Sequence, residues 1–269
     1  MKRGFKAGFI GCGNMGGVLA ELAAKKLGGT RVSCADLDPA KLKKFTEGYG
    51  CKASDAREIA SECDFIVLGV KPQVLPQTAA DIKDILAARK DRFVIISMAA
   101  GVALDSLKGY LGDYPIIRIM PNIPCASGEG VILYCRNENA DSSDEDAFGK
   151  MFEDAGIVSA IEEPKIDMGS AVTGCGPAFV YMFIDAMIDG GVRCGLPRDK
   201  AKAWAIQTVL GSAKFAKDSG QEPAKLKSDV CSPAGSTIEG VAVLEEMAFR
   251  SAVMEAVKAA YERTTELGK

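Results

Sequence analysis

The feature that most constrains the fold is an alternation, up to residue 161, of short apolar runs with amphipathic segments. The runs are rich in β-branched residues and are flanked by Gly or Pro, which is typical of buried strands. Alternation of strands with helices predicts a parallel sheet that is covered by helices on both faces. The predicted strands are residues 5–11, 31–35, 64–70, 93–98, 116–120, 131–135 and 158–161.

The pattern changes at Glu163-Pro164, after which the amphipathic segments have helical spacing. Gly and Pro residues separate these segments and act as helix stops and starts. We therefore predict an α/β domain over residues 1–163, followed by an all-α domain over residues 164–269. The predicted helices of the second domain are residues 166–190, 198–217, 224–230, 236–247 and 249–267.

The first of these helices is apolar on most faces, with Val172, Phe179, Phe183 and Met187 among its side chains. A helical domain of about a hundred residues offers little core to surround such a helix. A central helix in a monomeric bundle and a subunit interface are both compatible with the pattern. We favour the interface, which predicts a homo-oligomer.

Histidine is absent from all 269 residues. This absence excludes Ser-His-Asp and Cys-His nucleophile systems, His-ligated zinc and any imidazole acid or base. An enzyme built from this chain must move protons through Lys, Tyr, Asp, Glu, a hydroxyl or the substrate, or need little proton transfer.

Composition narrows the partners and the compartment. The net charge is -3 and the chain has no basic run, so we expect no nucleic-acid partner. No stretch approaches the roughly 20 uninterrupted apolar residues of a membrane span, so we expect no membrane partner. Nine cysteines without a C-x-x-C pair indicate small buried residues in a reducing cytosol, with no metal site. We therefore predict a cytoplasmic protein that acts on a small molecule.

A glycine-rich segment carries the first chemical signal, since Gly11, Gly13 and Gly16 form a G-x-G-x-x-G pattern between an apolar strand and a helix. In a β-α-β unit these glycines permit a tight turn, approach of a pyrophosphate and close helix packing. The N–H groups at the helix start, around Asn14 and Met15, then face the phosphate charge. We favour dinucleotide binding over a ligand-free glycine turn.

Asp36 ends the second predicted strand, twenty positions after Gly16. A carboxylate there accepts a hydrogen bond from a ribose 2′-hydroxyl and repels a 2′-phosphate, which favours NAD(H). Lys41, Lys43 and Lys44 follow and could attract a phosphate, and a solvated acidic loop is a competing interpretation. The sequence leaves the choice between NADP(H) and NAD(H) open.

Other candidate cofactor contacts follow the predicted strands, because the carboxyl ends of parallel strands face the ligand crevice. Asn122 could bond a nicotinamide carboxamide, and small residues let a flat cofactor pass. Loops kept short by packing explain each segment equally well. The candidates are Val70, Lys71, Pro72, Ala99, Ala100, Gly101, Met120 and Asn122.

In the helical part, Ser232-Pro233-Ala234-Gly235-Ser236-Thr237 leads into a predicted helix. Backbone N–H groups of Gly235, Ser236 and Thr237 could bind a carboxylate there. From the segment alone, ordinary capping by Ser236 or Thr237 is the better interpretation. Gly176 and Pro177 interrupt the apolar helix, which indicates close approach of a backbone or a ligand.

Several segments together resemble pyrroline-5-carboxylate reductase over essentially the whole chain. The segment around Ser232–Thr237 is similar to that family's signature and is far more specific than the glycine pattern. Ala234 stands where the family usually has glycine, Cys175 and Phe179 where Ser and Tyr are common, and Ile123 where Thr is usual. The resembling segments are residues 8–16, 70–72, 99–102, 118–122, 174–179, 195–198, 210–214 and 229–239.

The resemblance implies a Rossmann-type dinucleotide-binding domain followed by a helical substrate-binding and dimerisation domain, with dimers that can assemble into a ring. It implies NAD(P)H-dependent reduction of cyclic 1-pyrroline-5-carboxylate to L-proline, the last step of proline biosynthesis. The substrate carboxylate is expected on the N–H groups of Gly235, Ser236 and Thr237, near Gly176 and Pro177. The Thr237 hydroxyl is expected to hydrogen-bond the ring nitrogen.

Two other classes stay open at this point. A β-hydroxyacid dehydrogenase would resemble this architecture, but its catalytic Lys is missing from the segment Gly176–Tyr181. A nucleotide-sensing binding protein would keep Gly11, Gly13 and Gly16 and would need no hydroxyl at residue 237.

Overall fold

The structure is a computed structural model that describes residues 4–267. Eight strands form one sheet in the order β3-β2-β1-β4-β5-β6-β7-β8. The strands pair in parallel, except that β7 runs antiparallel to β6. Their bounds are β1 Ala7–Ile10, β2 Val32–Ala35, β3 Lys52–Ala53, β4 Phe65–Leu68, β5 Val94–Ser97, β6 Ile116–Pro121, β7 Gly130–Arg136 and β8 Gly156–Ala160.

Helices connect the strands and then continue to the end of the described chain. Asp38 caps α2 by accepting a hydrogen bond from Ala40 N, and Pro39 occupies the first helical position, as the sequence predicts. The helices are α1 Asn14–Leu27, α2 Pro39–Tyr49, α3 Ala56–Glu62, α4 Leu75–Ala88, α5 Leu104–Leu111, α6 Ser142–Met151, α7 Glu163–Thr173, α8 Gly176–Arg193, α9 Arg198–Ser219, α10 Pro223–Asp229, α11 Ser236–Glu246 and α12 Phe249–Leu267.

The core lies on both faces of the sheet. One apolar cluster contains Phe9, Leu19 and Phe148, and the other contains Ile66 and Ile82, all fully buried. Central strands such as β1, β4 and β5 are buried at every position, because helices cover both sides. The Rossmann-type sheet that the sequence predicts is confirmed.

The strand order predicts a ligand crevice at the carboxyl ends of the strands. β1 pairs with β2 on one side and with β4 on the other, so Ala7 faces both Val32 and Phe65. The chain therefore reverses its direction of winding at β1, which is the topological switch point where such sheets bind ligands. The carboxyl ends of β2, β1, β4, β5 and β6 lie side by side at this end of the sheet.

Two features of the sheet differ from the sequence prediction. β3 spans only Lys52–Ala53, and both residues are exposed, so it has no apolar run that could predict it. β7 returns antiparallel to β6 because a short 3-10 segment, Ile123–Ser127, connects them instead of a crossover helix.

The chain separates into two compact units. The sheet unit holds the described residues up to Gly174 and the chain end from Ala260, and the helical unit is Cys175–Ala259. The sequence places the division after residue 163, but the structure places it after Gly174. The reason is α7, whose Ile166 is fully buried and whose Asp167 pairs with Arg118 of β6 at 2.6 Å.

The helical unit has little interior of its own. Among its described residues, only Ile188, Ala201 and Ala205 are buried. Large apolar side chains are exposed on α8 and α9, and we call these residues the apolar face: Val180, Tyr181, Met182, Phe183, Trp204, Ile206, Leu210 and Phe215. Over Glu163–Arg193 the chain is also long and apolar enough, by length and composition, to span a membrane.

All nine cysteines are free thiols. The six in the sheet unit are buried, which agrees with their predicted role as small core residues. The other three belong to the helical unit, where Cys194 is exposed and Cys175 and Cys231 are partly exposed.

Candidate active site

The glycine-rich loop follows β1 and is fixed by backbone hydrogen bonds. Gly11 N donates to Ala35 O at 2.8 Å, and Gly69 N donates to Ile10 O at 2.8 Å. Gly11 has a φ of +96°, a conformation that side-chain-bearing residues rarely adopt. A Cβ at Gly11 would also lie 2.8 Å from Gly69 O. The turn therefore requires glycine.

Gly16 and Gly13 are glycines for different reasons. A Cβ at Gly16 would collide with Gly11 O, so this glycine lets α1 pack closely on β1. A Cβ at Gly13 would meet no protein atom within 4 Å, and its φ of -71° suits any residue. The fold therefore does not need glycine at position 13, and the space beside it is open.

This open space fits a dinucleotide phosphate. Gly13 is the N-cap of α1, and Asn14, Met15 and Gly16 form its first turn. Their N–H groups precede the first helical hydrogen bond, from Gly17 N to Gly13 O at 2.7 Å, so they are free to bind an anion. The residues present thus suit a pyrophosphate that approaches the backbone at Gly13.

Asp36 lies at the end of β2, beside this loop. Its Oδ2 accepts from Cys12 N at 2.9 Å, and its Oδ1 accepts from Asp38 N at 3.0 Å. Lys41 Nζ lies 3.3 Å from Oδ1. Partial burial opposes ionisation, but the two backbone N–H groups and the Lys41 ammonium outweigh it and lower the pKa of Asp36. The carboxylate is ionised and held in one orientation.

The carboxyl ends of β4, β5 and β6 lie at the same end of the sheet as the glycine-rich loop. Lys71 is exposed there, and Val70 and Pro72 are partly exposed. Ala99 is buried in the core with almost no exposed surface, whereas Ala100 and Gly101 stay partly exposed. Met120 is partly exposed at the end of β6.

Asn122 has a different environment from the predicted one. Its Nδ2 donates to Thr173 O at 2.9 Å, and its Oδ1 accepts from Val131 N at 2.9 Å. The side chain is buried, and its amide ties the turn after β6 to α7 and β7. One Nδ2 hydrogen is left for any carboxamide contact.

A buried arginine of β6 pairs with two carboxylates of α7. Arg118 is buried in β6 and contacts Asp167 Oδ1 at 2.6 Å and Glu163 Oε1 at 3.5 Å. Leu104 N donates to the same Glu163 oxygen at 2.6 Å. Arg118 thus connects β6 to α7 and, through Glu163, to the start of α5, which follows the loop at Gly101.

In the helical unit, the predicted carboxylate site is the start of α11. Gly235 is the N-cap and has no side chain, so capping by Ser236 or Thr237, the simpler interpretation of the sequence, does not occur. Ser236 and Thr237 occupy the first turn with exposed side chains, and their N–H groups have no intrahelical acceptor.

Gly235 itself contributes differently from the prediction. Its N–H donates to Ser232 O at 3.0 Å and closes the turn before α11. This N–H already has an acceptor, so a substrate carboxylate would have to share or replace the bond to Ser232 O. A Cβ at Gly235 would collide with the Ser232 hydroxyl, which explains the glycine.

Three other residues in or beside the predicted site have defined local geometry. Ala234 has a φ of +56°, in the left-handed region that favours glycine. Gly176 and Pro177 begin α8, and Gly176 has open space at its Cβ position.

Comparison with known proteins adds the family. The pyrroline-5-carboxylate reductase of Synechocystis is 40% identical over 265 residues, which cover 97% of this chain and 98% of that protein. The chain belongs to the pyrroline-5-carboxylate reductase family. The family model for pyrroline-5-carboxylate reductase dimerisation matches residues 163–267, and a model described as NADP oxidoreductase, coenzyme F420-dependent, matches residues 6–101.

Solved structures of this reductase family have the same fold. The pyrroline carboxylate reductase of Plasmodium falciparum, described with NADP bound, is 34% identical and has a TM-score of 0.88. It covers 98% of both chains. The enzyme from Coxiella burnetii is 31% identical, with a TM-score of 0.89, over 98% of this chain and 99% of that chain.

The sequence-based list of candidate residues omits two residues that shape this region. A Cβ at Gly69 would collide with Gly11 O, so this glycine is part of the same close contact as Gly11 and Gly16. Its position after β4, opposite the glycine-rich loop, is the signal that could have found it. Arg118 is the other, and a lone Arg within a predicted buried strand predicts a buried partner.

Proposed function

We propose that the chain reduces 1-pyrroline-5-carboxylate to L-proline with a reduced nicotinamide dinucleotide, the last step of proline biosynthesis. The observation that carries the proposal is the near-full-length likeness to pyrroline-5-carboxylate reductases in a chain with an open phosphate space at Gly13. When bound, the nicotinamide ring supplies the hydride for the carbon of the C=N bond.

The sheet unit would hold the dinucleotide. The N–H groups at the start of α1 would bind the pyrophosphate, and Asp36 would bind the adenosine ribose. The ends of β4, β5 and β6, with Val70–Pro72, Ala100, Gly101 and Met120, would border the nicotinamide half.

The start of α11 would hold the substrate. The N–H groups of Ser236 and Thr237 suit its carboxylate, because a helix N-terminus favours negative charge. The Thr237 hydroxyl can both donate and accept a hydrogen bond, so it can stay bonded to the ring nitrogen as an imine becomes an amine.

This reaction can be catalysed by a chain that has no histidine. A protonated imine is already electrophilic, and the new N–H of the product comes with the substrate nitrogen. The residues of the chain then contribute orientation and electrostatic stabilisation, with Thr237 as the catalytic side chain.

We also propose that the apolar face of the helical unit pairs with a second copy of the chain. The exposed large side chains of α8 and α9 support this proposal, as does the match of residues 163–267 to a dimerisation family. We propose that the dimers assemble further into a ring.

We also propose that the enzyme is cytoplasmic. The alternative, a membrane span over Glu163–Arg193, conflicts with α7, whose Ile166 is buried on the sheet and whose Asp167 pairs with Arg118. The exposed apolar side chains of α8 are therefore better covered by protein than by lipid.

The test is oxidation of NADH and NADPH by the purified protein with pyrroline-5-carboxylate, run beside reduction of NAD+ and NADP+ with a β-hydroxyacid. Turnover of the imine is expected, and no turnover with either dinucleotide would refute the reductase. Turnover of the β-hydroxyacid alone would place the chain in that dehydrogenase class. Dinucleotide binding without any turnover would indicate a nucleotide sensor.

Thr237→Ala tests the site. Loss of one hydrogen bond to the reacting nitrogen should lower kcat by about 10- to 100-fold, with unchanged dinucleotide affinity. Thr237→Ser should recover most of the rate, because it keeps the hydroxyl. Ser228→Ala, which removes a hydroxyl bonded to Ala224 O within α10, is the matched control. Equal rates for Thr237→Ala and wild type would remove Thr237 from the mechanism.

A further inference from the structure

We propose that this chain binds NADH in preference to NADPH, and that Asp36 determines the preference by excluding a 2′-phosphate. The inference rests on the proposed dinucleotide site, and it settles a choice that the sequence leaves open between Asp36 and three nearby lysines.

The carboxylate of Asp36 is a built part of the crevice. Its side chain is 9% exposed, and each of its two oxygens accepts one backbone N–H, from Cys12 or from Asp38. Cys12 lies between Gly11 and Gly13, so the carboxylate is fixed against the loop that would hold the pyrophosphate. A group held by two backbone donors cannot turn away to admit a phosphate.

The remaining capacity of this carboxylate suits a hydroxyl. A carboxylate offers about four acceptor positions, and the contacts with Cys12, Asp38 and Lys41 use three of them. A ribose 2′-hydroxyl can donate to the fourth. A 2′-phosphate in the same position would instead place its negative charge beside the ionised carboxylate, and the two charges would repel each other.

The three lysines do not offset this charge. Lys41 Nζ lies 3.3 Å from Asp36 itself, and Lys44 Nζ lies 2.8 Å from Glu21 Oε2. Lys43 Nζ lies 3.7 Å from Glu47 Oε1. Residues 36–47 therefore carry balanced charge, with three acidic and three basic side chains.

The residue after Asp36 has no side-chain donor for a phosphate. Leu37 is fully exposed, at a place where an Arg would accommodate a 2′-phosphate. An aliphatic side chain in that place has no donor. The similar Plasmodium enzyme is described with NADP bound, which would favour NADPH for this chain as well. A measured preference therefore decides between the expectation from Asp36 and the expectation from that relative.

The experiment measures dissociation constants of NADH and NADPH by titration calorimetry in the absence of imine. Wild type should bind NADH at least about tenfold more tightly than NADPH. Asp36→Asn keeps the shape and an acceptor for Cys12 N but removes the charge. It should bring the two constants to within about threefold of each other, mainly by strengthening NADPH binding.

Matched controls separate charge in general from this carboxylate. Asp38→Asn removes the neighbouring charge and keeps an N-cap for α2, so the ratio should not change. Lys44→Met should leave NADPH affinity unchanged. Selective loss of NADPH affinity in Lys44→Met would show a phosphate site built on lysine and would overturn the inference.

Wild type that binds NADPH as tightly as NADH would overturn the preference without any variant. An unchanged ratio in folded Asp36→Asn, or in Asp36→Ser if the Asn variant does not fold, would overturn the role of Asp36. Because binding is measured without imine, these outcomes are independent of the proposed reduction. Absence of imine turnover would refute the reductase and leave the dinucleotide preference standing.

Discussion

The sheet unit encloses its large apolar side chains within its own fold, whereas the helical unit leaves most of its own exposed. Phe9, Phe148 and Phe152 are fully buried between the sheet and its helices. Met182 and Trp204, by contrast, are 73% and 56% exposed on α8 and α9. The first unit buries its large apolar side chains within itself, whereas those of the second are left for the partner copy proposed above.

The polar groups follow the same division. In the sheet unit, Asp36, Arg118 and Asn122 are held by defined partners, so their positions are set before any ligand binds. In the helical unit, the side chains of Ser236 and Thr237 are exposed at the start of α11. The proposed dinucleotide site in the sheet unit is therefore preorganised.

The largest expected effect is on the helical unit. Met182→Glu would place an unpaired carboxylate in the proposed interface, at a cost of several kcal/mol, about a 100-fold or greater loss of association. Light scattering should show monomer where wild type is oligomeric, and the sheet unit should still bind dinucleotide. Gln221→Glu, at an exposed polar position, is the control. An unchanged mass for Met182→Glu would contradict the interface.

An intermediate effect distinguishes two glycines of one loop. Gly16→Ala forces a Cβ against Gly11 O, so urea unfolding should show a loss of about 2–3 kcal/mol. Gly13→Ala meets no protein atom and should change stability by less than about 1 kcal/mol. It should nevertheless weaken dinucleotide binding by about tenfold or more, since the methyl occupies the phosphate space. Unchanged affinity in Gly13→Ala would show that the space is not used.

The smallest effect depends on pH. Lys44, Tyr49 and Lys25 lower the pKa of Glu21 to about 2, although partial burial opposes them. Because the folded pKa lies below the ordinary value of 4.5, Glu21 stabilises the fold fully above that value. This contribution is lost as the pH falls from 4.5 toward about 2.

Glu21→Gln should therefore be less stable than wild type by about 1–2 kcal/mol at neutral pH. The gap in unfolding free energy should narrow over the same acid range. Glu47→Gln, which removes an exposed carboxylate 3.7 Å from Lys43, should show almost no gap. A gap for Glu21→Gln that stays constant down to the acid end would contradict the pKa argument.

Much of the fold could be predicted because burial on two faces leaves a strong pattern. Residues 65–68 and 94–97 are uniformly apolar or small, and they form β4 and β5. Lys52–Ala53 carries no such pattern, because an exposed strand of two residues is defined only by pairing with β2. Gly176 and Pro177 mark an interruption in the predicted helix 166–190, but only the structure shows that the chain forms two helices there, α7 and α8.

The candidate site was predictable where residue type alone decides its role. Gly11 and Gly16 follow from backbone geometry, and Asp36 follows from its position after a strand. The hydrogen bond from Gly235 to Ser232 and the contacts of Asn122 could not be predicted, because they depend on which backbone group lies nearby. Sequence identifies the available donors, and only the fold shows which of them are already used.

The uneven distribution of thiols gives the protein a reporter for one of its halves. A water-soluble alkylating reagent should leave the six buried cysteines of the sheet unit untouched and modify Cys194 first. A fluorophore on that sulfur would sit in the helical unit of the natural sequence. Assembly of the subunits could then be followed in real time without an introduced label site.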